Sequence, residues 1–215
     1  MVQERAMKII AILEKHFPDA RLLLNYRNPF ELLVVTILAA QAPDERVNQV
    51  SPKLFQKYPN PAAMAEADEA ELDKIIQSIS FYRQKGRNIR AMSKKLIENF
   101  RGEVPKTVEE LVQLNGVGRK TANLVLANGF GIPALPVDTH VARVSQRLGF
   151  SKSSNPDLIE SDLAQIFPQE KWVRVTHLLG FLGRYVCQAK NPKCWECPVI
   201  EWCPFPEKTE LRRVK

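Results

Sequence analysis

Leu114-Asn115-Gly116-Val117-Gly118-Arg119-Lys120 dictates how the rest of the chain is organised. Gly116 and Gly118 can take backbone conformations that a side chain would penalise, so between two helical segments they mark a tight hairpin with exposed amides. Such amides suit a phosphate. Lys120 opens the helix that follows. Eighteen positions on, in Pro136-Val137-Asp138-Thr139-His140, Asp138 opens the next one, a spacing that could return an amine and a carboxylate to one site.

The periodicity around this hairpin is helical in both directions. Thr107-x-x-Glu110 has capping-box spacing and starts a short helix into the turn; Arg119 to about Asn128 leaves it. Upstream, Ala6, Ile9, Leu13 and Phe17 give an amphipathic helix that stops at Pro18. The near-continuous apolar run Phe30–Gln41 predicts a helix buried on most sides. Pro43 suits the first turn of a helix running to about Tyr58, with Pro59 and Pro61 as interruptions. Asp68-x-x-Glu71 opens a helix through about Ser78, and Ile89, Met92, Leu96 and Phe100 mark another, ended by Gly102 and Pro105. Downstream, Gly129, Gly131, Pro133 and Pro136 form a breaker-rich crossing, the best candidate for a domain boundary. Beyond it Asp138 reads as the N-cap of a helix to about Leu148. Asn155-Pro156 opens the next helix, and Trp172–Tyr185 is the last. No alternating strand stands out, so the expected fold class is all-α with about ten helices.

At 215 residues and 45% hydrophobic content the chain reads as a globular protein of one large domain or two small ones. A net charge of +7 and a pI near 9.3 favour a polyanionic partner. Charge alone leaves nucleic acid, an anionic membrane surface and plain solubility open. The amino terminus, with Glu4, Arg5 and Lys8, carries no secretory core. The most apolar run, Leu32–Ala40, is far short of the ~20 residues that span a bilayer, so no membrane partner is expected.

Cys187, Cys194, Cys197 and Cys203 are the only cysteines and share one short window, Cys-x6-Cys-x2-Cys-x5-Cys. Clustering of this kind reads as metal ligation rather than a disulfide framework. Structural zinc sites more often pair two short-spaced knuckles, whereas only Cys194 and Cys197 are short-spaced here. Cys197-Pro198 and Cys203-Pro204 match the Cys-Pro element of ferredoxin-type ligation. The spacing favours a 4Fe–4S cluster, with zinc as the alternative. The glycine hairpin is likewise a helix-hairpin-helix signature, holding DNA phosphate without reading sequence; an ordinary tight turn is its alternative.

Four stretches together resemble the endonuclease III family of DNA glycosylases over nearly the whole chain: Leu38–Asp44 (LAAQAPD), Leu114–Asn123 (LNGVGRKTAN), Val137–Val144 (VDTHVARV) and the cysteine window. The resemblance implies two helical lobes with damaged duplex DNA, or DNA with an abasic site, bound in the cleft between them. One lobe is a six-helix barrel with the helix-hairpin-helix, residues 22–132; the other joins residues 1–21 to 133–215 and carries the cluster loop. On matching positions, Lys120 is the nucleophile that displaces the base and forms a Schiff base, and Asp138 assists it. A helix amino terminus and partial burial would both favour the neutral amine. Taken singly, Lys120 is otherwise a phosphate-binding or solvated lysine and Asp138 a plain N-cap.

Residues flanking these two take their roles from the same resemblance. Gln41, at the end of the buried helix, matches the side chain that fills the gap left by an extruded base; alternatively its amide bonds the helix end. Phe81 stands in the loop that supplies a wedge, where leucine is more usual, and Ser80 replaces an expected glycine. Phe81 could instead be core. Gly116, Gly118 and Arg119 meet the DNA backbone. Lys190 and Lys193, between Cys187 and Cys194, contact phosphate or are simply exposed charges. Asp44 is an accessory carboxylate or a helix-start residue, and His140 an accessory site residue more naturally structural than catalytic.

The implied enzyme is a base-excision-repair glycosylase and AP lyase for oxidised or ring-saturated pyrimidines, a cytoplasmic, nucleoid-associated prokaryotic monomer. The rivals are a monofunctional mismatch glycosylase, against which Lys120 and the short tail after Cys203 argue, and a non-catalytic helix-hairpin-helix DNA-binding protein, which leaves the pairing of Lys120 with Asp138 without a reason.

Overall fold

Polar residues ahead of apolar runs set where the chain turns helical. Asn28 accepts from the Glu31 amide at 2.9 Å, and the Glu31 carboxylate reaches back to the Arg27 amide at 2.9 Å, a reciprocal cap for the run that follows. Asn60, Asp68, Thr107, Asp138 and Asn155 cap five other helices with their side chains. The computed structural model describes residues 2–210; among them are eleven α-helices, three short 3-10 turns and no strand.

Two units divide the chain. The central one, Leu23–Ile132, holds α2 (Pro29–Ala39), α3 (Asp44–Lys57), α4 (Pro61–Ala65), α5 (Glu69–Ile76), α6 (Tyr82–Phe100), α7 (Val108–Leu111) and α8 (Arg119–Phe130). Its core is built on α2, whose Leu32, Leu33, Val34, Val35 and Leu38 are fully buried against α3, α6 and α8. Each such side chain contributes about 1.5–3 kcal/mol of burial. Near-continuous apolar character thus means here what it predicted, a helix with almost no solvent face.

The other unit joins α1 (Val2–His16) to α9 (Thr139–Arg147), α10 (Pro156–Ile166) and α11 (Trp172–Tyr185). Ile9, Ile10 and Leu13 of α1 share its core with Val141, Val144, Leu163, Leu178 and Leu182. Arg174 on α11 ties down the chain after α1, donating to the carbonyls of Phe17, Pro18 and Ala20 at 3.1, 3.1 and 2.7 Å. No described helix is long and apolar enough to cross a membrane.

Three boundaries differ from the sequence expectation. Pro61, read as an interruption, is the first residue of α4, because Asn60 caps the segment and proline needs no partner at a first turn. The buried helix ends at Ala39, leaving Gln41 outside it with φ 55. And α6 starts at Tyr82, seven residues before its apolar rhythm begins at Ile89, so Phe81 is its N-cap, with φ 57.

Candidate functional site

In the central unit the hairpin is a true reversal between α7 and α8. Val117 donates to Leu114 at 3.2 Å, and Gly116 turns the chain with φ +79, where a Cβ would also meet Asn88 of α6 at 3.1 Å. Gly116 is therefore required twice, by its conformation and by α6. Gly118 differs from the expectation. It is extended (φ −97, ψ 176), and nothing lies within 4 Å of where its Cβ would stand. It caps α8 without a side chain, which leaves the first-turn amides without an intrahelical partner. Arg119 and Lys120 are the first two residues of α8, both exposed. The partial burial expected for Lys120 is absent, since a first turn directly after an open hairpin has no neighbour to cover it.

Gln41 and Phe81 are both exposed and both left-handed, a conformation that costs a side chain of this size of order 1 kcal/mol or more. Phe81 is 67% exposed, which excludes the core alternative. The two turns are joined: the Ser80 hydroxyl donates to the Gln41 carbonyl at 2.6 Å. Beneath them Lys85, a buried lysine that sequence reasoning missed, donates to the Leu38 and Ala40 carbonyls at 2.8 and 2.6 Å. Burial pushes its pKa down, and the carbonyl end of α2 supplies the compensating negative potential. Asp44 is the first residue of α3, half-buried, behind the Pro43 N-cap.

In the other unit Asp138 is half-buried and caps α9, its Oδ1 accepting from the Val141 amide at 2.8 Å. The cap reading is thus met, and Oδ2 remains for a second function. His140 lies against α11: a Cβ on Gly183 would come within 2.9 Å of its Cβ, and its Nδ1 is 3.2 Å from Arg143 Nη2. That packing agrees with a structural part.

All four cysteines line one cavity, together with Arg147, Leu182, Val186 and Ile200. The four thiols stand around that shared space. Burial pushes the Cys197 thiol up to about 11 and raises Cys203 as well, a penalty on the thiolates that a bound cation such as iron would offset. The donor set and its setting fit an iron–sulfur cluster.

Two arginines of α9 hold this loop. Arg143 donates to the carbonyls of Gly183 and Cys187 at 2.8 and 3.0 Å. Arg147 donates to Cys187 Sγ at 3.3 Å and the Gln188 carbonyl at 2.7 Å, and lies over the Phe205 ring. The helix that Asp138 caps is thereby fastened to the cysteine loop at both of its later turns. Lys190 is exposed; Lys193 is half-buried, 3.6 Å from the Glu196 carboxylate.

Comparison with known proteins places these features in one family. Residues 34–169 match the HhH-GPD superfamily of base excision DNA repair proteins, and residues 187–203 match the iron–sulfur binding domain of endonuclease III. The chain is 48% identical to an endonuclease III of Synechocystis sp., over 94% of this chain and 93% of that one. It is 46% identical to an endonuclease III of Bacillus subtilis, over 91% and 90%. A solved structure of a trapped endonuclease III–DNA covalent intermediate, an estranged-adenine complex, superposes with TM-score 0.90 at 43% identity, covering 95% of this chain and 96% of that one.

Proposed function

The chain belongs to the endonuclease III family, and on that footing we propose that it is a DNA glycosylase with AP lyase activity, acting on oxidised or ring-saturated pyrimidines in duplex DNA. The observation that carries the reading is the exposed amine of Lys120 in the first turn of α8, immediately after a hairpin whose Gly116 and Gly118 are themselves exposed. Gly118 supports it. Its missing side chain serves no packing or conformational need of the fold, but it lets a phosphate approach the α8 amides closely. A net charge of +7 suits the same partner.

The chemistry follows from an amine and a carboxylate. Lys120 Nζ, once deprotonated, attacks C1′ of the damaged nucleoside; the bond to the base breaks, and the base leaves with the electron pair and takes up a proton. Asp138 accepts or relays the lysine proton and stabilises positive charge developing on the sugar, using the oxygen not engaged by the Val141 amide. Ring opening gives an iminium between Nζ and C1′. That iminium acidifies C2′, and loss of the C2′ proton expels the 3′ phosphate by β-elimination. Gln41 fills the gap of the extruded nucleotide and Phe81 wedges the stack. Arg119, Lys190 and Lys193 neutralise phosphates.

Cys187, Cys194, Cys197 and Cys203 hold a 4Fe–4S cluster. When bound, it supplies iron–thiolate bonds that cross-link the loop which Arg143 and Arg147 tie to α9. Those arginines hold the helix capped by Asp138 in a fixed orientation. An enzyme of this kind finds its substrate in the cytoplasm, beside the nucleoid.

The test is the product. Duplex DNA carrying one thymine glycol should be cut to a strand ending in a 3′ unsaturated aldehyde. Release of the base with the sugar–phosphate strand left intact would move the protein to the monofunctional branch.

A further inference from the structure

Ser80 stands where the family resemblance leads one to expect glycine, and its hydroxyl is spent on one bond, to the Gln41 carbonyl at 2.6 Å. The two residues are 39 positions apart, in turns that leave α2 and enter α6. On either side of that bond is a non-glycine residue in the left-handed region, Gln41 at φ 55 and Phe81 at φ 57. Such conformations persist only where the surroundings impose them. Lys85 imposes part of this geometry from below, its ammonium held by the Leu38 and Ala40 carbonyls just before Gln41. Its own amide donates to Phe81 O at 3.1 Å as the first bond of α6. Ser80 closes the remaining side, so the ring runs from Lys85 to Ala40, along the chain to Gln41, across to Ser80 and back through Phe81 to Lys85, with Gln41 and Phe81 exposed.

We infer that Ser80 is a positioning residue whose hydroxyl locks the Gln41 and Phe81 turns into one preset unit, so that the two side chains enter a damaged duplex together rather than independently. The inference rests on the reading of Gln41 and Phe81 as the gap-filling and wedging residues. Its physical content is preorganisation: a turn bonded to its neighbour before binding loses less freedom on insertion than two separate turns.

A double-mutant cycle separates this inference from the reading beneath it. Affinity for a thymine glycol duplex is measured for Gln41→Ala, Phe81→Ala and the pair, in the Ser80, Ser80→Ala and Ser80→Thr backgrounds. With Ser80, each single change should weaken binding, and the pair should lose about fivefold less than the product of the singles. Ser80→Ala should bring the cycle to additivity within about twofold, and Ser80→Thr, which keeps the hydroxyl, should restore the coupling. The melting temperature of Ser80→Ala should stay near wild type, since Ser80 is exposed. Single changes that weaken binding additively in the Ser80 protein, or coupling that survives Ser80→Ala, would overturn the lock and leave the contact reading intact. Single changes without effect on damaged duplex would remove both.

Discussion

Replacing Gly116 and Gly118 by alanine, one at a time, separates two reasons for a glycine. At Gly116 the backbone is left-handed and Asn88 stands 3.1 Å from the new Cβ, so G116A should cost about 1–2 kcal/mol of stability in urea unfolding. At Gly118 the backbone is extended and the space open. G118A should leave the unfolding midpoint unchanged and weaken DNA binding about tenfold, because a methyl group intrudes where phosphate approaches the α8 amides. In the sequence both glycines read alike. Spacing located the hairpin through local chemistry, but the neighbour that makes one glycine structural is on α6, 28 positions earlier. For the same reason the exposure of Phe81 could not be read from its type, since an aromatic beside a helix start is core or wedge according to contacts set elsewhere.

Helix α9 shows how an element holds a catalytic candidate. Asp138 starts it, Arg143 and Arg147 bind the loop of the cysteines, and His140 and Val144 pack on α11 at Gly183. A Cβ on Gly183 would meet His140 Cβ at 2.9 Å and the His140 carbonyl at 3.2 Å, both too close for relaxation without moving a backbone. G183A should therefore cost about 1–3 kcal/mol of stability and lower base excision further than the stability loss explains, measured as single-turnover rate at a temperature where the variant is fully folded. The helix itself was legible from its cap and apolar rhythm. Its grip on the cysteine loop was not, because arginines 40 to 44 positions away from their acceptors carry no periodic signal. Helix α4 escaped for the opposite reason: with only five residues it has no rhythm, and Pro59 and Pro61 on either side of Asn60 obscured its cap.

At the scale of the whole molecule, acid should act through His177 of α11. Burial, with Arg174 nearby, pushes its pKa from 6.5 to about 4. A depressed pKa means that the unfolded chain binds the proton first. The contribution is therefore complete above 6.5, drains as pH falls, and is gone below about 4, amounting to as much as ~3 kcal/mol. Wild type should lose stability across that window faster than His177→Gln; parallel pH profiles would show that His177 is not responsible. The all-helical character, the four-cysteine window and the order of the motifs could be read from the chain because each is written within a few consecutive residues. The proposed chemistry turns on Lys120 as the amine that joins DNA. Borohydride reduction during turnover on a thymine glycol duplex, followed by mapping of the trapped peptide, tests it most directly. Wild type should give a covalent adduct on Lys120 that Lys120→Gln abolishes. An adduct on another amine, or strand cutting with nothing trapped, would contradict it.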